Sequence, residues 1–101
     1  EDVADLGGTL LAYVAWKRAT AGQDLQSADG FTPDQRFFIG MAQWVCGDAR
    51  PEMKRLSALT NPHSSEEYRV NGVVTNLSEF GKAFGCKAGQ PMMSANGCRV
   101  W

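Results

Sequence analysis

The chain has 101 residues, 10 basic and 11 acidic, for a formal net charge of −1. Charges of both signs are mixed along it without a basic stripe, which excludes the electrostatic footprint of a nucleic-acid binder. Its 44% apolar and 21% charged residues are ordinary for a folded chain, its length allows one small domain at most, and no run approaches the roughly 20 apolar residues that span a bilayer.

Residues 1 to about 22 read as a first helix, opening EDVADLGGTLLAYVAW. It is apolar nearly all round through Val3, Leu6, Leu10, Leu11, Tyr13, Val14 and Trp16. A helix with so narrow a polar face needs cover on most sides, more than a lone domain of this size can give. The pair Gly7-Gly8 costs up to roughly 2 kcal/mol of helix propensity relative to alanine, tolerable where another group approaches closely. Glu1 and Asp5, four apart, share one helical face and repel each other unless something positive stands before them. Helix dipole, solvent, a basic side chain or a metal ion could each supply that charge.

Residues 23–31 read as a polar loop. Thr32-Pro33-Asp34-Gln35 then announces a second helix, with Thr32 as cap, Pro33 in the first turn and Gln35 completing a capping box. Phe37, Met41 and Val45 follow at spacing four, Phe38 and Ala42 lie beside them, and Gly47 is the expected stop. A third helix starts near Pro51 and carries Met53, Leu56 and Leu59. TNPHSS is a loop, since Pro62 disfavours helix at Asn61. YRVNGVVT, residues 68–75, has β-branched valines that favour an extended or irregular segment, although 70, 73 and 74 also fit a helical spacing. Asn76-Leu77-Ser78-Glu79 resembles a capping box and opens a short helix with Phe80, Ala83 and Phe84, and the Gly-, Pro- and Asn-rich tail is irregular. The expectation is a mainly α unit.

Cys46, Cys86 and Cys98 form an odd set without a CxxC pair, which makes a zinc finger a poor reading. In an oxidising compartment at least one of them stays free or pairs outside the chain; reduced structural thiols are the alternative.

Three stretches in order carry a family resemblance. EDVADLGG resembles the E-N-x-A-D motif that follows the zinc-binding helix of neprilysin-like (M13) metallopeptidases. NPHSSEEYRVNGVVTN is similar to that family's histidine and arginine segment, and the terminal CRVW resembles the way many members end. The resemblance implies that residues 1–101 are the C-terminal helical part of a larger zincin-type catalytic domain, an incomplete unit and not an independent fold. It implies one Zn²⁺ per complete site, with Glu1 as the third protein ligand beside two histidines of an H-E-x-x-H helix elsewhere. Asp5 then matches the acid that orients a ligand histidine through its other ring nitrogen. His63, the only histidine, matches the donor to the oxyanion of the tetrahedral intermediate, and Arg69 the group that holds substrate carbonyls.

AQWVCG is similar to the stretch that lines the pocket for the side chain after the scissile bond. The family order there is Val-Trp and this chain reads Trp44-Val45, which rotates each side chain by about 100° on a helix; core packing is the alternative for both. Asp2 stands where the family has Asn. The cysteines are implied to pair with upstream cysteines, which places the protein in an extracytoplasmic setting: secreted, periplasmic or as a membrane-anchored ectodomain. The implied partners are the remaining N-terminal part of the same peptidase, without which the chain is inert, and peptide substrates. A non-catalytic helical interaction domain that retains the pattern is the alternative function.

Overall fold

A computed structural model describes residues 1–100; Trp101, the last residue of the CRVW motif, lies outside the described residues. The fold is mainly α, with four helices and a π-helical turn: α1 (Asp2–Ala19), α2 (Pro33–Gln43), α3 (Pro51–Thr60), the π turn Tyr68–Gly72, and α4 (Ser78–Phe84).

Helix α1 starts with Asp2 and Asp5 and ends with Lys17 and Arg18, charges that suit both ends of the helix dipole. Glu1 is its cap position, yet the carboxylate makes no cap hydrogen bond and is free for the loop it faces. Leu6 and Leu10, one turn apart, are buried in a core completed by Phe38, Val73, Val74 and Leu77. Beyond Leu10 the helix is mostly exposed despite Leu11 and Val14.

The loop to α2 is tightened by a two-residue turn. Asp29 and Gly30 both have positive φ, 55° and 79°, and Ala28 and Phe31 exchange backbone hydrogen bonds at 3.0 and 2.9 Å across them. Asp-Gly is the pair that accepts this conformation most readily. The capping box of α2 forms as expected: Gln35 N–H donates to Thr32 Oγ1 at 3.3 Å, and Thr32 N–H donates to Gln35 Oε1 at 2.9 Å. The Gln35 amide also donates to Ala83 O at 3.0 Å, which ties α2 to α4. Phe38 stacks on Tyr13 with ring centres 5.4 Å apart and meets Phe80 edge-on at 5.5 Å, so the α1–α2–α4 contact is largely aromatic. Helix α2 stops at Gln43, before Gly47, and Val45 sits half-buried beyond its end.

Helix α3 forms where expected but buries none of its residues. Met53, Leu56 and Leu59 are all exposed.

The extended reading of residues 68–75 is corrected. The segment is helical, with a π turn at Tyr68–Gly72 running into helix at Val73 and Val74, both of them buried. Helical geometry outweighs β-branched propensity because it puts Val73 and Val74 into the core with Leu6 and Leu10 of α1. The capping box at residues 76–79 does not form either. Helix α4 follows Leu77 without a side-chain cap. Asn76 instead donates to Gly72 O at 2.6 Å and accepts from Cys98 N–H at 2.8 Å. That second bond, with Ser94 N–H to Thr75 O at 2.8 Å and Val100 against the core, holds the irregular tail in place.

The radius of gyration is 15.1 Å, against about 13 Å for a compact chain of this length. The accessible surface of 7198 Å² likewise exceeds the roughly 5600 Å² expected for a compact monomer of this mass. Both describe an elongated shape, 48 × 30 × 24 Å, in which α3 buries nothing and Leu11 and Val14 of α1 are exposed.

Candidate functional site

The first turn of α1, the loop 61–65 and the π turn meet at one place. Glu1 Oε2 is hydrogen-bonded to His63 Nδ1, and Glu1 Oε1 accepts from Ser64 N–H at 3.0 Å. Asn61 shapes the loop by accepting from His63 N–H at 3.0 Å, an Asx turn that follows the end of α3. One turn into α1, Asp5 takes two parallel hydrogen bonds from Arg69, Nε to Oδ2 at 2.7 Å and Nη2 to Oδ1 at 3.0 Å. Arg69 Nε also lies 3.8 Å from Glu1 Oε1. The two carboxylates that should repel are thus each faced by a group capable of positive charge.

The electrostatics follow from these contacts. The hydrogen bond from His63 holds the Glu1 carboxyl below its ordinary value; burial opposes this, and the Ser64 N–H and the Arg69 charge add to it. The Arg69 hydrogen bonds hold the Asp5 carboxyl below its ordinary value in the same way, again against burial. Asp5 in turn raises the Arg69 guanidinium. Asp5 and Arg69 are ionised throughout the neutral range.

The sequence-derived residues Glu1, Asp5, His63 and Arg69 therefore come together across 62 to 64 positions of chain. Trp44 joins them, its ring centre 4.7 Å from the Arg69 guanidinium carbon. Val45 does not. A groove of about 510 Å³ runs between α1 and α2, lined among others by Asp5, Gly8, Phe37, Gly40, Met41 and Trp44. Gly8 faces open space there, with nothing within 4 Å of where a Cβ would stand; the close approach expected at the glycine pair is not made within this chain at Gly8. Sequence reasoning missed Ser64, whose hydroxyl donates to Asp2 Oδ2 at 2.7 Å and so straps the His63 loop to α1. The one signal was the acidic Asp2 at a position where the resembled motif has Asn.

Residues 1–100 match the family described as Peptidase family M13. This chain belongs to that family. It is 45% identical to Neprilysin-1 of Caenorhabditis elegans, 41% to Endothelin-converting enzyme-like 1 of Homo sapiens and 36% to Endothelin-converting enzyme 1 of Rattus norvegicus. Each match takes in 100% of this chain but only 14%, 13% and 14% of the relative. The M13 chain thus spans about a seventh of the length of these relatives.

A metallopeptidase family raises the question of the metal. No group of three His, Cys, Asp or Glu side chains among the described residues could hold an ion. The Glu1 side chain is 27% exposed and both its oxygens accept hydrogen bonds, from His63 and Ser64, so as a metal ligand it would be one donor of a set completed by other residues. Cys46, Cys86 and Cys98 are all free thiols, with Cys46 and Cys98 exposed, and no bond joins any two of them. No helix of the described residues is long and apolar enough to cross a membrane.

Proposed function

We propose that residues 1–101 are part of the catalytic domain of a zinc-dependent metalloendopeptidase, in which this chain supplies the third zinc ligand and the groups that steady the transition state. The observation that carries the reading is the meeting of Glu1, Asp5, His63 and Arg69 at one end of α1, two of the four brought from more than 60 residues away. Glu1 would hold the metal through its carboxylate. The chemistry that zinc supplies when bound is a water acidified for attack on a peptide carbonyl. His63 would donate to the developing oxyanion through Nε2, since Nδ1 is engaged by Glu1. Arg69 would hold a substrate carbonyl. Asp5, bonded here to Arg69, would also orient a ligand histidine. Trp44 borders the groove nearest these groups and is the better candidate of the Trp44-Val45 pair for contact with a peptide.

The partner in this reading is the upstream part of the same peptidase, carrying H-E-x-x-H. Its support is the excess accessible surface, the uncovered apolar residues of α3 and α1, and the small share of the relatives that the chain spans. Cys46, Cys86 and Cys98 would pair with upstream cysteines in an extracytoplasmic compartment, a reading supported by their odd number and by the exposure of Cys46 and Cys98.

The test is metal analysis together with a peptide-hydrolysis assay on the full-length protein and its Glu1→Gln variant. Stoichiometric zinc in the parent, lost in Glu1→Gln along with activity, is the expected result. A variant that keeps its zinc removes Glu1 from the ligand set.

A further inference from the structure

We propose that Trp44 is a positioning residue that acts through Arg69; the inference rests on the reading of Arg69 as the group that meets substrate carbonyls. Three segments converge on this guanidinium. Asp5 of α1 occupies its Nε/Nη2 edge, Arg69 itself comes from the π turn, and the guanidinium carbon lies over the ring of Trp44, at the C-cap of α2, 4.7 Å from the ring centre. Nη1 makes no hydrogen bond to any described residue and is left to offer its donors outward.

Two hydrogen bonds along one edge fix the plane of a guanidinium only in part. The group can still hinge about the line joining the two bonds. A ring beneath the guanidinium carbon limits that hinge, because the attraction of the cation to the ring's electron-rich face favours keeping the group over it. Asp5 and Trp44 together leave Nη1 and the outer N–H of Nη2 as free donors in a set direction. Preorganisation of this kind matters most when the carbonyl it meets gains charge in the transition state.

Trp44 also borders the α1–α2 groove, so an effect through Arg69 has to be separated from a direct contact with a peptide. The residue is 57% exposed and lies outside the core cluster. A large aromatic kept at the surface, against a cation and beside a groove, is placed for the cation. An aliphatic side chain of similar bulk would fill the space without presenting such a face.

The experiment is a double-mutant cycle in the full-length protein, with kcat and KM measured on a fluorogenic peptide for the parent, Trp44→Ala, Arg69→Ala and the pair. Trp44→Ala should lower kcat/KM roughly three- to thirtyfold, the range of a partly exposed to desolvated cation–aromatic contact. In the Arg69→Ala background the same change should cost less than about twofold. Trp44→Phe should recover most of the loss and Trp44→Leu should not. Equal losses with and without Arg69 would overturn the inference, because Trp44 would then act on substrate directly. Equal rescue by Leu and Phe would overturn it too, by reducing the role to bulk. If Trp44→Ala fails to fold, the Phe and Leu variants carry the comparison. An Arg69→Ala protein of full activity overturns the site reading and this inference with it, whereas a normal Arg69 loss with additive Trp44 overturns the inference alone.

Discussion

Arg69 grips Asp5 by two parallel hydrogen bonds, 2.7 and 3.0 Å long, between residues 64 positions apart. The pair joins the π turn to the first turn of α1 and so fixes where the candidate site stands on the fold. Because Arg69 lowers the Asp5 carboxyl from its ordinary value of 3.8, the folded chain binds that proton less readily than the unfolded one. The stabilisation is then full above 3.8 and fades as the pH falls through the lowered folded value. Asp5→Asn should melt below the parent at neutral pH, with the gap closing on acidification below 3.8. Melting curves of both proteins across that range check it, and a gap indifferent to acid refutes it.

Tyr13 gives the opposite sign. Burial, with the Asp34 carboxylate 3.2 Å from its hydroxyl, pushes the phenol up from 10.0 to about 12. The folded chain keeps a proton that the unfolded chain releases, so this contribution is full below pH 10.0 and is lost as the pH rises toward about 12. Absorbance titration of tyrosinate should show a late component that disappears in Tyr13→Phe. A Tyr13→Phe protein with an unchanged titration curve would contradict the burial argument.

Two leucines separate the core from the exposed α3. Leu77 is 1% exposed, and Leu77→Ala should cost about 2–5 kcal/mol. Leu59 is 86% exposed, and Leu59→Ala should stay within about 0.5 kcal/mol in the 101-residue chain. In the full-length protein the same Leu59 change should become destabilising if the proposed upstream part covers α3. Denaturant unfolding of both proteins decides this, and a Leu59→Ala that is neutral in each would leave α3 a solvent-exposed helix.

The elements most legible in the sequence were those with local chemistry of their own. Thr32-Pro33-Asp34-Gln35 holds both halves of a capping box within four residues, and α2 begins there. The Asn76-Leu77-Ser78-Glu79 pattern looks much the same but fails, because Asn76 is taken by Gly72 O and by Cys98 N–H, 22 residues away. The valines at 73 and 74 misled for a related reason. Their propensity is weaker than the burial they gain against α1, which only tertiary packing reveals. At the site, the resemblance named Glu1, Asp5, His63 and Arg69, which lie together in the fold, but not how they pair. Nothing local says that Arg69 selects Asp5, that Ser64 reaches Asp2, or that Trp44 lies over Arg69.

The pairing of His63 with Glu1 permits a test of roles. If His63 donates to the oxyanion and does not hold metal, His63→Ala in the full-length protein should keep its zinc. It should lose about 10²–10³-fold in kcat, the range for removal of one oxyanion donor. KM should change far less, because the lost bond forms mainly in the transition state. Ser64→Ala should give a milder loss of the same kind, since it frees the loop from Asp2 while leaving the imidazole in place and the Ser64 N–H to Glu1 intact. Glu1→Gln, by contrast, should lose zinc itself. Metal content and steady-state kinetics on the three variants distinguish the assignments. A His63→Ala protein without zinc would make His63 a ligand or a support of one. One with full kcat would leave it an exposed loop histidine that merely rests on Glu1.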